Sequence, residues 1–194
     1  MTRILVTNDD GVYAPGLLAL VQAMREIGEV EVSAPAVNQS ASGHKKTLFA
    51  DLPVNKVTLA DGTPAYAVGG SPADCVALLS LGMSALWPPD IVVSGINRGA
   101  NMGQDITYSG TVTAALEAAI DGVKAVAVSF DNHEANAVED YAVAARVAQA
   151  VVREALTRPL PPLTILNLNV PGDSTTQTAA PAPSAPSAPA ADPF

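Results

Sequence analysis

"ILVTNDDGVYAPG", residues 4–16, decides how the chain is read. Ile4, Leu5, Val6 and Thr7 form a short run suited to a buried strand. The run stops at Asn8, Asp9, Asp10 and Gly11. Pro15 then opens a segment with apolar residues at Leu17, Leu18, Leu20, Val21 and Met24, a spacing that predicts a helix over Pro15–Ile27. Two neighbouring carboxylates at the end of an interior strand repel each other and lose hydration. Asn-Asp-Asp-Gly is also good turn chemistry, and an Asp near a helix start serves as a cap.

The same alternation continues. Gly28 stops the first helix, and Val30–Ala34 reads as a second strand. Pro35–Lys46 reads as a polar loop. Short strands follow at Val54–Leu59 and Ala65–Val68, around the turn signal Asp61-Gly62. Ser71 caps a helix expected from Pro72 to about Leu86, with Trp87 as its closing plug. Asp90–Ser94 is a strand, Gly95–Tyr108 a glycine-rich loop and Ser109–Asp121 a helix. Ala125–Phe130, Asn136–Leu156 and Leu163–Leu168 complete the series as strand, helix and strand. Buried strands alternating with helices predict an α/β fold, a three-layer sandwich around a mostly parallel sheet. In that architecture ligands bind beyond the carboxyl ends of the strands, so the loops Asn8–Gly16, Pro35–Lys46 and Gly95–Tyr108 are expected to converge.

The bulk numbers bound the function. At 194 residues, 48% hydrophobic and 15% charged, the chain holds one core-bearing domain, read as residues 1–170. A net charge of −9 argues against a nucleic-acid duplex as partner. The single Cys75 excludes an internal disulfide framework. No run reaches the length of a spanning helix and no leader pattern precedes the first strand, so a cytoplasmic protein without a membrane partner is expected. Residues 171–194 contain six prolines and seven alanines, a low-complexity tail expected to be disordered.

The chemistry gathers in the three loops. A hard divalent cation with oxygen ligands, Mg²⁺ or Mn²⁺, resolves the repulsion between Asp9 and Asp10. "NQSASGHKK" (38–46) offers hydroxyls, backbone N–H groups, His44 and two lysines to an anion. In the third loop, Asn97 lies just past a strand end, where a neutral oxygen ligand fits. Ser109-Gly110-Thr111 opens a helix whose free N–H groups and dipole suit an anion. It is not a Walker A loop, and no GxGxxG follows the first strand. Asp74 reads as a first-turn residue favoured by the dipole, Cys75 as core and His133 as exposed. Glu117 is expected to face solvent or to pack near its helix start. Two carboxylates, a cation and an anion cradle together point to hydrolysis or transfer at a phosphate.

"ILVTNDDG", "APxxxxSASGH", "GSPADCV" and "DIVVSGINRGANMGQDITYSGTVTAALEAA" together resemble the SurE family of survival proteins, metal-dependent nucleotidases, over about residues 3–170. The resemblance implies a Rossmann-like fold and removal of phosphate from nucleoside 5′- and 3′-monophosphates, with some action on polyphosphate. It implies one divalent cation per subunit, held by Asp9, Asp10, Ser40 and Asn97, with Ca²⁺ admitted by the same oxygen ligands. It implies further that Asn8, Gly43, His44, Asn101 and the Ser109-Gly110-Thr111 turn border the phosphate. Asp9 is expected to take the proton of the attacking water; formation of an aspartyl-phosphate stays open. Family members continue past the stretch matching "LNLNVP" (166–171) into an arm exchanged between subunits. Here the Pro/Ala-rich tail stands in that place. A homodimer or homotetramer is therefore expected in weakened or altered form, and a binding module with weakened turnover is the alternative.

Overall fold

The computed structural model describes residues 1–84 and 86–172. Its centre is a seven-stranded sheet. The strands are β1 (Arg3–Thr7), β2 (Glu29–Pro35), β3 (Val54–Thr58), β4 (Pro64–Val68), β5 (Ile91–Arg98), β6 (Ala125–Asp131) and β7 (Leu166–Pro171). Their spatial order is β3-β4-β2-β1-β5-β6-β7, and every neighbouring pair is parallel except β3 with β4. From β1 the chain builds outward through β2 and β4, then returns to lay β5 on the other side of β1. That reversal opens a crevice beyond the carboxyl ends of β1 and β5.

The period-2 alternation of β1 assigns its side chains to two layers. Ile4 and Val6 join a core with Leu17, Leu20 and Val21 of α1 (Pro15–Arg25) and Ala148 and Val152 of α4 (Ala142–Thr157). Leu5 faces the opposite layer. There it packs with Val76 of α2 (Pro72–Leu78) and with Val112, Ala115 and Ala118 of α3 (Gly110–Ile120). Fully burying a Val or Leu side chain contributes roughly 1.5–3 kcal/mol, so these two layers supply most of the driving force. Gly16 lets α1 lie directly against β5, since a Cβ there would overlap the Ile96 carbonyl.

Several boundaries differ from those expected, each for a local reason. The helix after Ser71 keeps α-helical form only to Leu78, then passes into a wide π turn over Leu79–Met83 that ends at left-handed Gly82 (φ 107°). Strand β5 runs on to Arg98 instead of ending at Ser94. Its register with β6 shifts between Ser94 and Asn97, after which Asn97 pairs with Ser129 and Arg98 with Phe130. The helix expected from Asn136 starts as a 3-10 turn over Val138–Tyr141. The last strand starts at Leu166, after Leu163 takes a left-handed conformation (φ 57°). Pro171, assigned to the tail on composition, closes that strand. The disorder expected of the tail concerns residues 173–194, which lie outside the described residues. Cys75 is buried in the core and His133 is exposed, as read. Among the described residues no helix is long and apolar enough to cross a membrane.

Candidate functional site

Strand β1 delivers Asp9 and Asp10 into the crevice beside β5. The turn that carries them is held from within. Asn8 is fully buried, donates its side-chain amide to the Gly11 carbonyl at 2.9 Å and accepts from the Gly11 N–H at 3.2 Å. Gly11 sits at φ 106°, a backbone geometry that favours glycine. Asn8 therefore shapes the turn, with its amide directed onto Gly11.

Asp9 is 3% exposed and faces the start of α3. Its Oδ1 accepts from the Thr111 hydroxyl at 2.5 Å and its Oδ2 from the Thr111 N–H at 3.1 Å. Burial pushes the Asp9 carboxyl up to about 6; the Thr111 hydrogen bonds oppose that rise and the Asp10 charge adds to it. Asp10 is half-buried and faces the other way. Its Oδ1 accepts from the Asn38 amide and its Oδ2 from the Arg98 N–H, both at 3.2 Å. Burial raises the Asp10 carboxyl too, against the Arg98 and Asn38 contacts. Among the described residues, neither carboxylate forms an ion pair with a Lys, Arg or His side chain.

Asn38 is a residue the motif reading did not single out. While donating to Asp10, its Oδ1 accepts from the Ser40 N–H at 2.9 Å, so it fixes Ser40 relative to the acid pair. The Gln39 N–H donates to the Asp9 carbonyl at 2.7 Å and secures the same loop. Asn97 donates its amide to the Gly99 carbonyl at 2.9 Å, which leaves Oδ1 as its open end. No three His, Cys, Asp or Glu side chains come together as a metal cluster among the described residues. A cation here would use two carboxylates with the neutral oxygens of Ser40 and Asn97, a hard donor set that suits Mg²⁺ or Mn²⁺. The acid pair, Asp9 buried and Asp10 half-buried with neither in an ion pair among the described residues, fits such an ion.

The anion cradle is narrower than expected. Of the first three N–H groups of α3, that of Thr111 goes to Asp9 and that of Val112 goes to the Ser109 hydroxyl at 3.2 Å. The Gly110 N–H remains, together with the proton of the Ser109 hydroxyl. A Cβ on Gly110 would lie 2.7 Å from the Asp9 Cβ and 2.9 Å from the Ser42 Oγ, so only glycine fits. The Ser42 hydroxyl is buried there with no hydrogen-bond partner among the described residues.

His44, Asn101 and Gly43, expected beside the phosphate, also form hydrogen bonds within the protein. His44 places Nε2 2.9 Å from Oε2 of Glu117, seven residues beyond Gly110 on α3 and therefore about two turns along the helix. Asn101 donates to the Ser129 hydroxyl at 2.8 Å, and its backbone is held by Asn167 and Asn169 of β7. Gly43 donates its N–H to the Tyr108 carbonyl and accepts from the Thr113 hydroxyl, both at 2.9 Å. Glu117 itself is 3% exposed, not solvent-facing, because His44 and Lys46 both reach it. Sequence held a signal for this: a lone acid among alanines on a buried helix, with His44 and Lys46 in the 38–46 loop available to meet it.

This geometry has close relatives. A family model described as Survival protein SurE matches residues 4–185. The chain is 51% identical over 173 residues to a 5′-nucleotidase SurE of Herpetosiphon aurantiacus, an alignment covering 89% of this chain and 67% of that one. It is 50% identical over 172 residues to 5′-nucleotidase SurE 1 of Thermus thermophilus, covering 87% and 66%. The crystal structure of the SurE protein from Aquifex aeolicus superposes with a TM-score of 0.77 at 38% identity, over 88% of this chain and 66% of that one. The chain thus spans about two thirds of the length of these relatives.

Proposed function

The chain belongs to the SurE family, and from that premise we propose that it is a divalent-metal-dependent phosphomonoesterase acting on nucleoside 5′- and 3′-monophosphates. The observation that carries this reading is the Asp9–Asp10 pair at the strand-order reversal, with Asp9 buried and bonded to the first turn of α3. The names of the relatives, 5′-nucleotidases, support the substrate class. The cation would be held by Asp9, Asp10, Ser40 and Asn97.

A bound divalent cation supplies electrostatic pull on a phosphoryl oxygen and on the attacking water. The chain supplies the rest. Thr111 fixes the Asp9 carboxylate with two donors, so it need not reorient during reaction. Asp9, fixed at the end of β1 by Thr111, is placed to take a proton from the attacking water. The Gly110 N–H and the Ser109 hydroxyl proton face the charge that builds on phosphate. A cavity of about 220 Å³ shares Asp10 and is bordered by Pro15, Asn38, Arg98 and Tyr141; it takes the nucleoside part.

The test is phosphate release from AMP, GMP and 3′-AMP with Mn²⁺, with Mg²⁺ and with EDTA. Release that depends on the metal is expected. Absence of release with every metal and substrate would overturn the enzyme reading and leave a nucleotide-binding module. Light scattering of the same sample reports whether it is a dimer or tetramer.

A further inference from the structure

Glu117 has a role that the acid pair alone does not reveal. Its carboxylate lies inside the molecule on α3, yet both of its oxygens are bound by one short loop. Lys46 Nζ donates to Oε1 at 2.6 Å, and His44 Nε2 lies 2.9 Å from Oε2. The loop that carries these two residues also carries Asn38 and Ser40 at its other end, where Asn38 bonds Asp10 and the Gln39 N–H bonds the Asp9 carbonyl.

Between the two fastenings the backbone is strained. Ala41 is left-handed at φ 57°, a conformation that a residue with a Cβ adopts only when its surroundings impose it. Gly43 is left-handed as well, at φ 57°. The stretch is also held at Gly43, by the Tyr108 carbonyl and the Thr113 hydroxyl, and at the Lys45 carbonyl, by the Ser71 hydroxyl; Ser40 is adjacent to the strained Ala41. A carboxylate buried on α3 strongly favours the docked loop, because undocking would leave its charge without a partner. Lys46 responds in the same sense: its ammonium is raised above its ordinary range by the hydrogen bond it donates to Glu117.

We propose that Glu117 is a positioning residue, which through Lys46 and His44 clamps the 38–46 loop and thereby sets Asn38 and Ser40 at the acid pair. The inference rests on the metal reading of the preceding section only for what the clamp serves, not for the clamp itself. Groups that orient ligands in this indirect way change metal affinity by about 10- to 100-fold when removed.

The experiment uses the full chain without substrate. Mn²⁺ affinity is measured by calorimetry, and amide exchange is followed across residues 38–46, for the parent, Glu117→Gln, Lys46→Met and Lys46→Arg. Glu117→Gln and Lys46→Met are expected to weaken Mn²⁺ binding at least about tenfold and to speed exchange in the loop, while β1 stays protected. Lys46→Arg is expected to restore both readouts. The Lys46 side chain is far more exposed than that of Glu117, so its variants disturb the packing less than Glu117→Gln. Loop exchange in Lys46→Met within twofold of the parent overturns the clamp, as does faster exchange with unchanged Mn²⁺ affinity. A parent that binds no Mn²⁺ sinks the metal reading and with it what the clamp serves; loop exchange alone then decides whether the clamp exists.

Discussion

Thr111 bonds both oxygens of Asp9, through its hydroxyl at 2.5 Å and its backbone N–H at 3.1 Å, although 102 residues separate the two in the chain. The N–H contact is supplied by any residue except proline at that position of α3; the hydroxyl is specific to Thr or Ser. Thr111→Val preserves shape and removes only the hydroxyl. A hydrogen bond to a charged group is worth about 1.5–3 kcal/mol, so kcat/KM for AMP is expected to fall by about 10- to 100-fold. Thr111→Ser should recover most of it. Equal rates for the Val and parent proteins would show that the hydroxyl does not orient Asp9.

The protonation of Asp9 gives a pH signature in the metal-free protein. Burial, strengthened by Asp10 and opposed by Thr111, places its carboxyl at about 6, against 3.8 in the unfolded chain. Between those values the native state binds more protons than the unfolded state, so stability falls as pH rises through the window. In EDTA, thermal unfolding of the parent is expected to lose on the order of 3 kcal/mol from pH 4 to pH 6.5 relative to Asp9→Asn. A gain over that window would mean that Asp9 is stabilised as a charge.

Gly110→Ala tests the crowding behind the acid pair. The added Cβ would lie 2.7 Å from the Asp9 Cβ, closer than side chains approach, so Asp9 or the helix start must move. A displacement near 1 Å at a reacting group costs on the order of 10²-fold in rate. Turnover of AMP is expected to drop by about that much, with the far-UV circular dichroism unchanged. Full activity would place the reacting groups elsewhere.

Ser71 tests local folding at the start of α2, where its hydroxyl also donates to the Lys45 carbonyl at 2.5 Å. Its hydroxyl accepts from the Asp74 N–H at 3.1 Å while its own N–H donates to Asp74 Oδ2 at 2.9 Å, a reciprocal cap on α2. Ser71→Ala is expected to cost about 1 kcal/mol, read as a melting temperature lower by about 2–4 °C. An unchanged melting curve would mean that the Thr47 contacts to Asp74 hold the helix start unaided.

Much of this was legible in the chain. Ile4–Thr7 and Pro15–Met24 declare strand and helix because apolar period and a first-turn proline act over a few residues. Asp9 and Asp10 stand out because carboxylates are costly at the end of a buried run. Other features were hidden. Asn97 and Arg98 look like loop by composition yet pair with β6, since the pairing partner supplies what local propensity lacks. The partners of Asn8 and Asn101 were equally hidden: an amide bonds whatever backbone or hydroxyl the fold brings nearest, and here that is Gly11 and Ser129.

The sequence by itself determined the alternation of strand and helix, the two-sided burial of β1 and the placing of two acids at its end. Only the tertiary structure decided that Asp9 meets Thr111, that Asn38 ties Ser40 to Asp10, and that Glu117 lies inside beneath His44 and Lys46. The reason is range: propensity and hydrophobic period act within a turn or two of chain. The partner of a buried carboxylate is set by strand order, and strand order follows from how the whole chain packs its two layers.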